Sequence, residues 1–312
     1  MSEDRLRDAI ALYDRFTHEG MDRRVFMAEL TRIAGGAAAA GVLLSSIAAN
    51  AQTGPRVAAD DARLTTTEDV YRVDDIQIRA YRAVQRPVSP QRGRRRRPPT
   101  VLVIHENRGL NDHIRDVARR VALAGFDAVA PDFLSLDGGQ MPADENVART
   151  AIGALDLNRA VAAGIRLIRL FHEPQRVVRP FETEPTPVGA VGFCWGGAMV
   201  NRLAVAAGES LSAAVPFYGP APDPAEAARV RAAMLIVLAG LDQRVNATAR
   251  PWVTALNAAG RDVRALEYPD VDHAFHNDTS AARYNAQAAE QAWAATLSFF
   301  RRHLEGRRPF HG

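Results

Sequence analysis

The only cysteine of the chain, Cys194, stands in the stretch Gly192-Phe193-Cys194-Trp195-Gly196-Gly197. An apolar, strand-like run (187–191) precedes it, and an apolar run of helical character (198–207) follows. That context fits a sharp strand-to-helix turn that presents a nucleophile, with cysteine in place of the usual serine. Small residues two positions either side are needed because bulkier ones would collide across the turn. The turn also sets the thiol at a helix N-terminus, where the positive end of the dipole favours a thiolate. Taken alone the motif has a bland alternative, since a lone cysteine after a strand is often a small buried apolar side chain.

Two later segments bear on the choice. Residues 235–242 (Leu-Ile-Val-Leu-Ala-Gly-Leu-Asp) read as a strand ending in a loop carboxylate, Asp242. Residues 268–275 (Tyr-Pro-Asp-Val-Asp-His-Ala-Phe) set His273 in a loop after another strand-like run, 263–268. Nucleophile, acid and histidine in that order is the chain order of α/β-hydrolases. Each residue has an ordinary explanation, because Asp after Gly is common in turns and a loop histidine is commonly solvated. Three coincidences in the right order, each at a strand end, favour the chemical reading.

At these residues the chain resembles the dienelactone hydrolase family (carboxymethylenebutenolidases), a cysteine branch of the α/β-hydrolases. The resemblance spans roughly residues 70–303. It rests on Ile104-His105-Glu106-Asn107-Arg108-Gly109-Leu110, Ala130-Pro131-Asp132, the cysteine turn, Phe217-Tyr218-Gly219 and His273-Ala274-Phe275-His276-Asn277-Asp278. The resemblance implies an α/β-hydrolase fold, a mostly parallel central sheet with helices on both faces. It implies Cys194 as nucleophile, His273 as general base and acid, and Asp242 as the carboxylate that orients it. Glu106 would be the family's extra acid, which hydrogen-bonds the resting cysteine; its ordinary alternative is pairing with Arg108. Family members that take carboxylated dienelactones carry an arginine four residues after the catalytic histidine. Here that position is Asn277, with His276 beside it, which puts the carboxylated substrate in question.

The chemistry implied is thiolate attack on an ester or lactone carbonyl, a thioester intermediate, and hydrolysis assisted by the histidine. Two donors must receive the oxyanion. One is expected from the Trp195 backbone N–H, which follows the nucleophile, and the other from Asn107 in the loop after the 101–104 strand. Phe133, Tyr218, Phe275 and His276 are assigned to the substrate pocket, with Trp195 a further apolar candidate; some of these simply pack. His273-x-x-His276 with Asp278 and His105 is a weak metal pattern, and a zinc hydrolase would leave Cys194 unexplained. No metal and no cofactor is expected, and the glycine-rich phosphate fingerprint is absent from the sequence. The rival class is a binding protein that keeps this fold without turnover; a degenerate binder would have lost at least one of Cys194, Asp242, His273 and Glu106. Within the enzyme class, a broad small-ester hydrolase competes with a true dienelactone hydrolase.

The elements that must position these residues follow from periodicity. Residues 65–84 read as an opening β-hairpin, 101–104 as a central parallel strand, and 114–122 as a helix capped near Gly125. Residues 126–130 read as the next strand, 133–145 as a loop over the site, 146–171 as one long helix, and 212–217 as a strand presenting Tyr218. The last helix is placed at 281–304, with Trp293, Leu297 and Phe300 as core residues. In such a sheet, ligands bind beyond the carboxyl ends of the strands.

At 312 residues, 47% apolar and 24% charged, the chain is ordinary for a globular enzyme. All 39 basic residues are arginines, because no lysine occurs. Schiff-base lysine chemistry, a Ser-Lys dyad and a P-loop lysine are therefore excluded. Net charge is only +3, and the run Arg92-Gly93-Arg94-Arg95-Arg96-Arg97 sits between prolines, as a solvated loop would. Nucleic-acid binding is not expected, and the chain is expected to act as a monomer on a small ester or lactone.

Residues 1–51 read as an address. Asp22-Arg23-Arg24-Val25-Phe26-Met27 looks like a twin-arginine export signal, followed by an apolar run (33–49) and an Ala49-Asn50-Ala51 cleavage site. The domain at 52–312 would then be exported folded, by the twin-arginine machinery, to a periplasmic or extracellular location. Before the arginines, Leu6, Ile10, Tyr13 and Phe16 recur at near-helical spacing, which predicts a short amphipathic helix.

Overall fold

The computed structural model describes residues 3–18, 21–48, 55–87, 97–142, 144–174, 184–280 and 282–306. The expected cleavage site at 49–51 and all but Arg97 of the arginine run lie outside them. The chain divides into two compact units. The larger comprises residues 55–238, 243–267 and 292–312; the smaller comprises 1–54, 239–242 and 268–291.

The sheet has eight strands: β1 (Leu64–Val73), β2 (Ile76–Gln85), β3 (Thr100–Ile104), β4 (Asp127–Asp132), β5 (Val188–Phe193), β6 (Ala213–Phe217), β7 (Ala233–Ala239) and β8 (Val263–Tyr268). Their order is β1-β2-β4-β3-β5-β6-β7-β8. β1 and β2 form the expected antiparallel hairpin, and β2 runs antiparallel to β4. From β4 through β7 the described pairs are parallel. β3 to β7 are buried along their whole length, which is why their sequences are mainly apolar rather than alternating, with β4 carrying an aspartate at each end.

Helices α4 (Asp112–Leu123), α5 (Glu145–Gly153), α6 (Leu157–His172), α7 (Trp195–Ala206), α8 (Gln243–Ala258) and α9 (Ala286–Leu304) connect or close the sheet. The main core joins Leu167 and Ile168 of α6 and Leu203 of α7 to Leu102, Ala190 and Ala214 of the sheet. At the start of this unit the buried carboxylate of Asp116 accepts from the backbone N–H groups of Arg56 (3.2 Å) and Val57 (2.8 Å), and Arg119 donates to the Val57 carbonyl (2.8 Å).

Three elements differ from the sequence reading. The single helix expected over 146–171 is two, α5 and α6. The break follows Gly153, and the Asp156 side chain starts α6 afresh by accepting from the N–H groups of Asn158 (2.9 Å) and Arg159 (3.2 Å). The segment expected as a loop at 133–145 opens with a 3-10 helix, Phe133–Gly138, capped by Asp132 through the Leu134 N–H (3.1 Å). α9 begins at Ala286, with the Asn285 side chain accepting from the Ala288 N–H (3.0 Å). On α9, Phe300 is fully buried, whereas Trp293 and Leu297 are half-buried rather than core.

In the smaller unit, α1 (Glu3–His18), α2 (Arg23–Ala34) and α3 (Ala37–Ala48) share a core of Ile10, Leu12, Tyr13, Phe26, Leu30 and Leu43. α1 is the amphipathic helix that the near-helical spacing predicts. Phe16 stacks on Phe26 (4.3 Å, 18°). Ala282 packs against this core, and the Arg283 guanidinium lies 5.6 Å from the Tyr13 ring centroid. The apolar run is bent by 103° at Gly35 and Gly36, so no single helix among the described residues is long and apolar enough to cross a membrane.

Candidate active site

Cys194 links β5 to α7 with φ 56° and ψ −112°, a backbone conformation that side-chain-bearing residues rarely adopt. Such strain costs about 1–3 kcal/mol and persists only where the surroundings over-determine it. Here the Cys194 N–H donates to the Phe217 carbonyl (3.1 Å) and its carbonyl accepts from the Ala198 N–H (3.0 Å). The flanking glycines are required by close backbone approach. A Cβ on Gly192 would lie 2.2 Å from the Gly196 carbonyl oxygen, and one on Gly196 would lie 2.3 Å from that of Ile104 and 2.5 Å from that of His105. Gly197 and Gly219 meet in the same way: a Cβ on the first would be 2.5 Å from the Phe217 oxygen, and one on the second 2.2 Å from the Gly197 carbonyl carbon.

Glu106 comes two residues after β3 and is buried. Its carbonyl closes a turn by accepting from the Gly109 N–H (3.2 Å), with Gly109 in the left-handed region (φ 77°); Asn107 lies inside that turn. Tyr218 follows β6 with φ 37° and is fully buried, its N–H donating to the Val237 carbonyl (2.8 Å). Phe133, also fully buried, packs in the main core. Trp195 is half-buried as the first residue of α7.

Asp242 and His273 belong to the smaller unit. Asp242 comes three residues after β7, and His273 five after β8. Their side chains meet: His273 Nδ1 is 2.5 Å from Asp242 Oδ2, with both residues buried. The segments that carry them are pinned by Gly240 N–H to the Tyr268 carbonyl (2.7 Å) and Leu241 N–H to the Val271 carbonyl (3.1 Å). Ala274, next after the histidine, is left-handed (φ 65°). Phe275 and His276 are buried, Phe275 against Tyr268 with ring centroids 5.4 Å apart. Asn277 is turned into its own loop: its Oδ1 accepts from the Thr279 N–H (3.0 Å) and hydroxyl (2.6 Å). Among the described residues no cluster of three or more His, Cys, Asp or Glu side chains is arranged to hold a metal ion.

His105 is the residue whose place the sequence reading missed, since it figured there only within a family motif and in the weak metal pattern, with no role of its own. Its ring is fully buried and stacks on Trp195 (5.2 Å, 9°), and burial pushes its pKa down from the ordinary 6.5 to about 4. Below pH 6.5 the unfolded chain takes up a proton that the folded chain refuses until about pH 4. His105 therefore costs no stability above pH 6.5 and erodes it as pH falls from 6.5 towards 4. Its share between pH 7 and pH 5 is about 2 kcal/mol. Urea unfolding at both pH values should show His105→Phe losing less stability than the wild type by about that amount; equal losses would contradict a neutral buried imidazole.

Comparison with known proteins gives this arrangement a lineage. The family model described as "Dienelactone hydrolase family" matches residues 85–304. The chain belongs to the dienelactone hydrolase family. A relative from Saccharolobus solfataricus, named "Putative carboxymethylenebutenolidase", is 31% identical over 263 residues, covering 75% of this chain and 98% of its own length. Among solved structures, the dienelactone hydrolase-like promiscuous phosphotriesterase from metagenomic libraries superposes with TM-score 0.60 at 23% identity, over 77% of this chain and 99% of that one. The dienelactone hydrolase from Anabaena variabilis does so with TM-score 0.57 at 17% identity, over 78% and 99%. These last two establish the α/β-hydrolase fold; the family model and the sequence relative establish a dienelactone hydrolase-like hydrolase.

Proposed function

We propose that the protein cleaves lactones, enol-lactones or small carboxylic esters through a thioester on Cys194. The observation that carries this reading is the strained backbone of Cys194 between β5 and α7, held by hydrogen bonds on both sides. The His273–Asp242 pair supports it, since a carboxylate on Nδ1 leaves Nε2 as the working nitrogen of the ring. So does the chain order of the three residues, which is that of the fold family.

In the proposed cycle His273 Nε2 takes the proton of the Cys194 thiol, the thiolate adds to the substrate carbonyl, and the oxyanion is received by the backbone N–H groups of Trp195 and Asn107. Collapse breaks the ester C–O bond, and His273 gives a proton to the departing enolate or alkoxide. A water then loses a proton to His273 and attacks the thioester, which releases the acid and the thiolate. Asp242 stabilises the imidazolium formed in between. Glu106 would hold the cysteine at rest. Phe133, Tyr218, Phe275 and His276 would line the acyl pocket.

The substrate is the finer question. Asn277 stands where the family's arginine would meet a substrate carboxylate, and its side-chain oxygen is already engaged by Thr279. That favours uncharged esters and lactones over carboxylated dienelactones. Purified protein assayed on p-nitrophenyl acetate and on cis-dienelactone should turn over the first faster. Preference for the dienelactone would reverse the substrate assignment, and turnover of neither would favour a binding protein.

We also propose export by the twin-arginine route. Arg23 and Arg24 are exposed at the start of α2, and α3, although almost wholly apolar, leaves Ala37, Ala38, Ala39 and Val42 exposed. Replacing both arginines by glutamine should leave the protein in the cytoplasm of a host with a working twin-arginine pathway. Unchanged export would refute the route.

A further inference from the structure

His105 is buried at the end of β3 and has no part in the proposed cycle, yet both of its ring nitrogens are committed. Nδ1 lies 2.7 Å from the Glu106 carbonyl oxygen, and the Phe133 N–H points to Nε2 at 3.3 Å. A carbonyl only accepts and a backbone N–H only donates, so the two contacts agree on one tautomer: the proton on Nδ1 and the lone pair on Nε2. The face of the same ring stacks on the indole of Trp195. Phe133 closes the group edge-on to both, 5.7 Å and 72° from His105 and 5.5 Å and 67° from Trp195. The His105 backbone is also part of the floor on which α7 begins, since its carbonyl oxygen is one of the atoms that a Cβ on Gly196 would strike.

One imidazole thus ties three segments of the larger unit: the turn that starts at Glu106, the first residue of the 3-10 helix, and the first residue of α7. Two of the three carry the backbone N–H groups assigned to the oxyanion.

We propose that His105 is a positioning residue, which sets the Glu106–Asn107 turn and Trp195 relative to each other and so fixes the spacing of the two oxyanion donors. The inference rests on the hydrolase reading above. His105 touches no substrate and moves no proton. Its effect runs through backbone placement, where errors of about 1 Å cost up to about 100-fold in rate.

The test is steady-state kinetics of the full chain on p-nitrophenyl acetate, with His105→Phe, His105→Asn and a Cys194→Ala control. His105→Phe keeps a flat ring against Trp195 and loses both hydrogen bonds. It should lower kcat by about 10- to 100-fold, with KM changed by less than about threefold. His105→Asn puts an amide N–H where Nδ1 was, and should recover at least about threefold of that kcat. The pH profile of kcat/KM should keep its shape in both variants.

A wild-type kcat in His105→Phe overturns the inference. So does an Asn variant no better than Phe, which would reduce His105 to packing, and so does a vanished limb in the pH profile, which would make it a proton-transfer group. Should the Phe variant fail to fold, the Asn variant decides alone: wild-type kcat overturns the inference, and a loss of about three- to tenfold at unchanged KM supports it. Wild-type turnover in Cys194→Ala would instead sink the hydrolase reading and the inference with it. Loss of activity in that control, with silent His105 variants, would sink the inference only.

Discussion

Cys194→Ala is expected to remove ester hydrolysis, with kcat down by about 10⁴-fold or more. On the proposed mechanism the loss is large because the thiol is not one contributor among several: without it no acyl-enzyme would form, and water would have to attack the ester directly. Alanine is tolerated sterically, since it retains the Cβ that the turn already accommodates, so the loss should not come with unfolding. Trapping adds a second reading of the same experiment. Mass spectrometry of wild-type protein quenched during p-nitrophenyl acetate turnover should find one acetyl group on Cys194. Acetylation elsewhere, or an active alanine variant, would mean that the strained turn presents a residue with no chemical part. Cys194→Ser should fall between the two, because a hydroxyl must be deprotonated in the transition state where a thiol need not be.

Asp242→Asn should cost about 10³- to 10⁴-fold in kcat with little change in KM. The carboxylate accepts from His273 Nδ1 at 2.5 Å, which holds the ring with its proton on that side. An asparagine amide can donate instead, and would then favour the other tautomer, which leaves Nε2 protonated and unable to serve as a base. The Asp242 backbone N–H bonds to the Ala239 carbonyl (3.1 Å) and does not involve the side chain, so the segment should survive the change. A variant within about tenfold of wild type would show that the pair is structural. A drop in melting temperature with kcat preserved would say the same.

The strand-to-helix turn at Cys194 and the loop positions of Asp242 and His273 were legible because each is announced locally. Cys194 sits among glycines between two apolar runs, and Asp242 and His273 each follow a strand-like run. The core strands β3 to β7 were legible as mainly apolar runs because both of their faces are covered. What escaped detection depends on contacts between distant segments or on single capping residues. The break between α5 and α6 lies in a stretch with helix-forming residues on both sides, and only Gly153, where α5 ends, and Asp156, acting as a new cap, mark it. The 3-10 helix after β4 follows from the Asp132 side chain turning to the Leu134 N–H, which a sequence motif records only as Ala-Pro-Asp. His105 is the clearest case: its tautomer comes from Glu106 and Phe133 and its stacking from Trp195, ninety positions away. No periodicity carries that information.

The glycines around Cys194 have a consequence for how this protein can change over generations. Gly192 faces the backbone of Gly196, Gly196 faces Ile104 and His105, Gly197 faces Phe217, and Gly219 faces Gly197. The nearest contact of each is main chain against main chain, so turning a rotamer or trimming a neighbouring side chain, such as Val200 beside Gly192, would not relieve it. Most core positions offer an evolving lineage a second-site repair; these four offer none. Drift is thereby steered away from the frame and onto what the frame presents. Side chains that project from the turn remain open to exchange, while the turn itself is inherited whole.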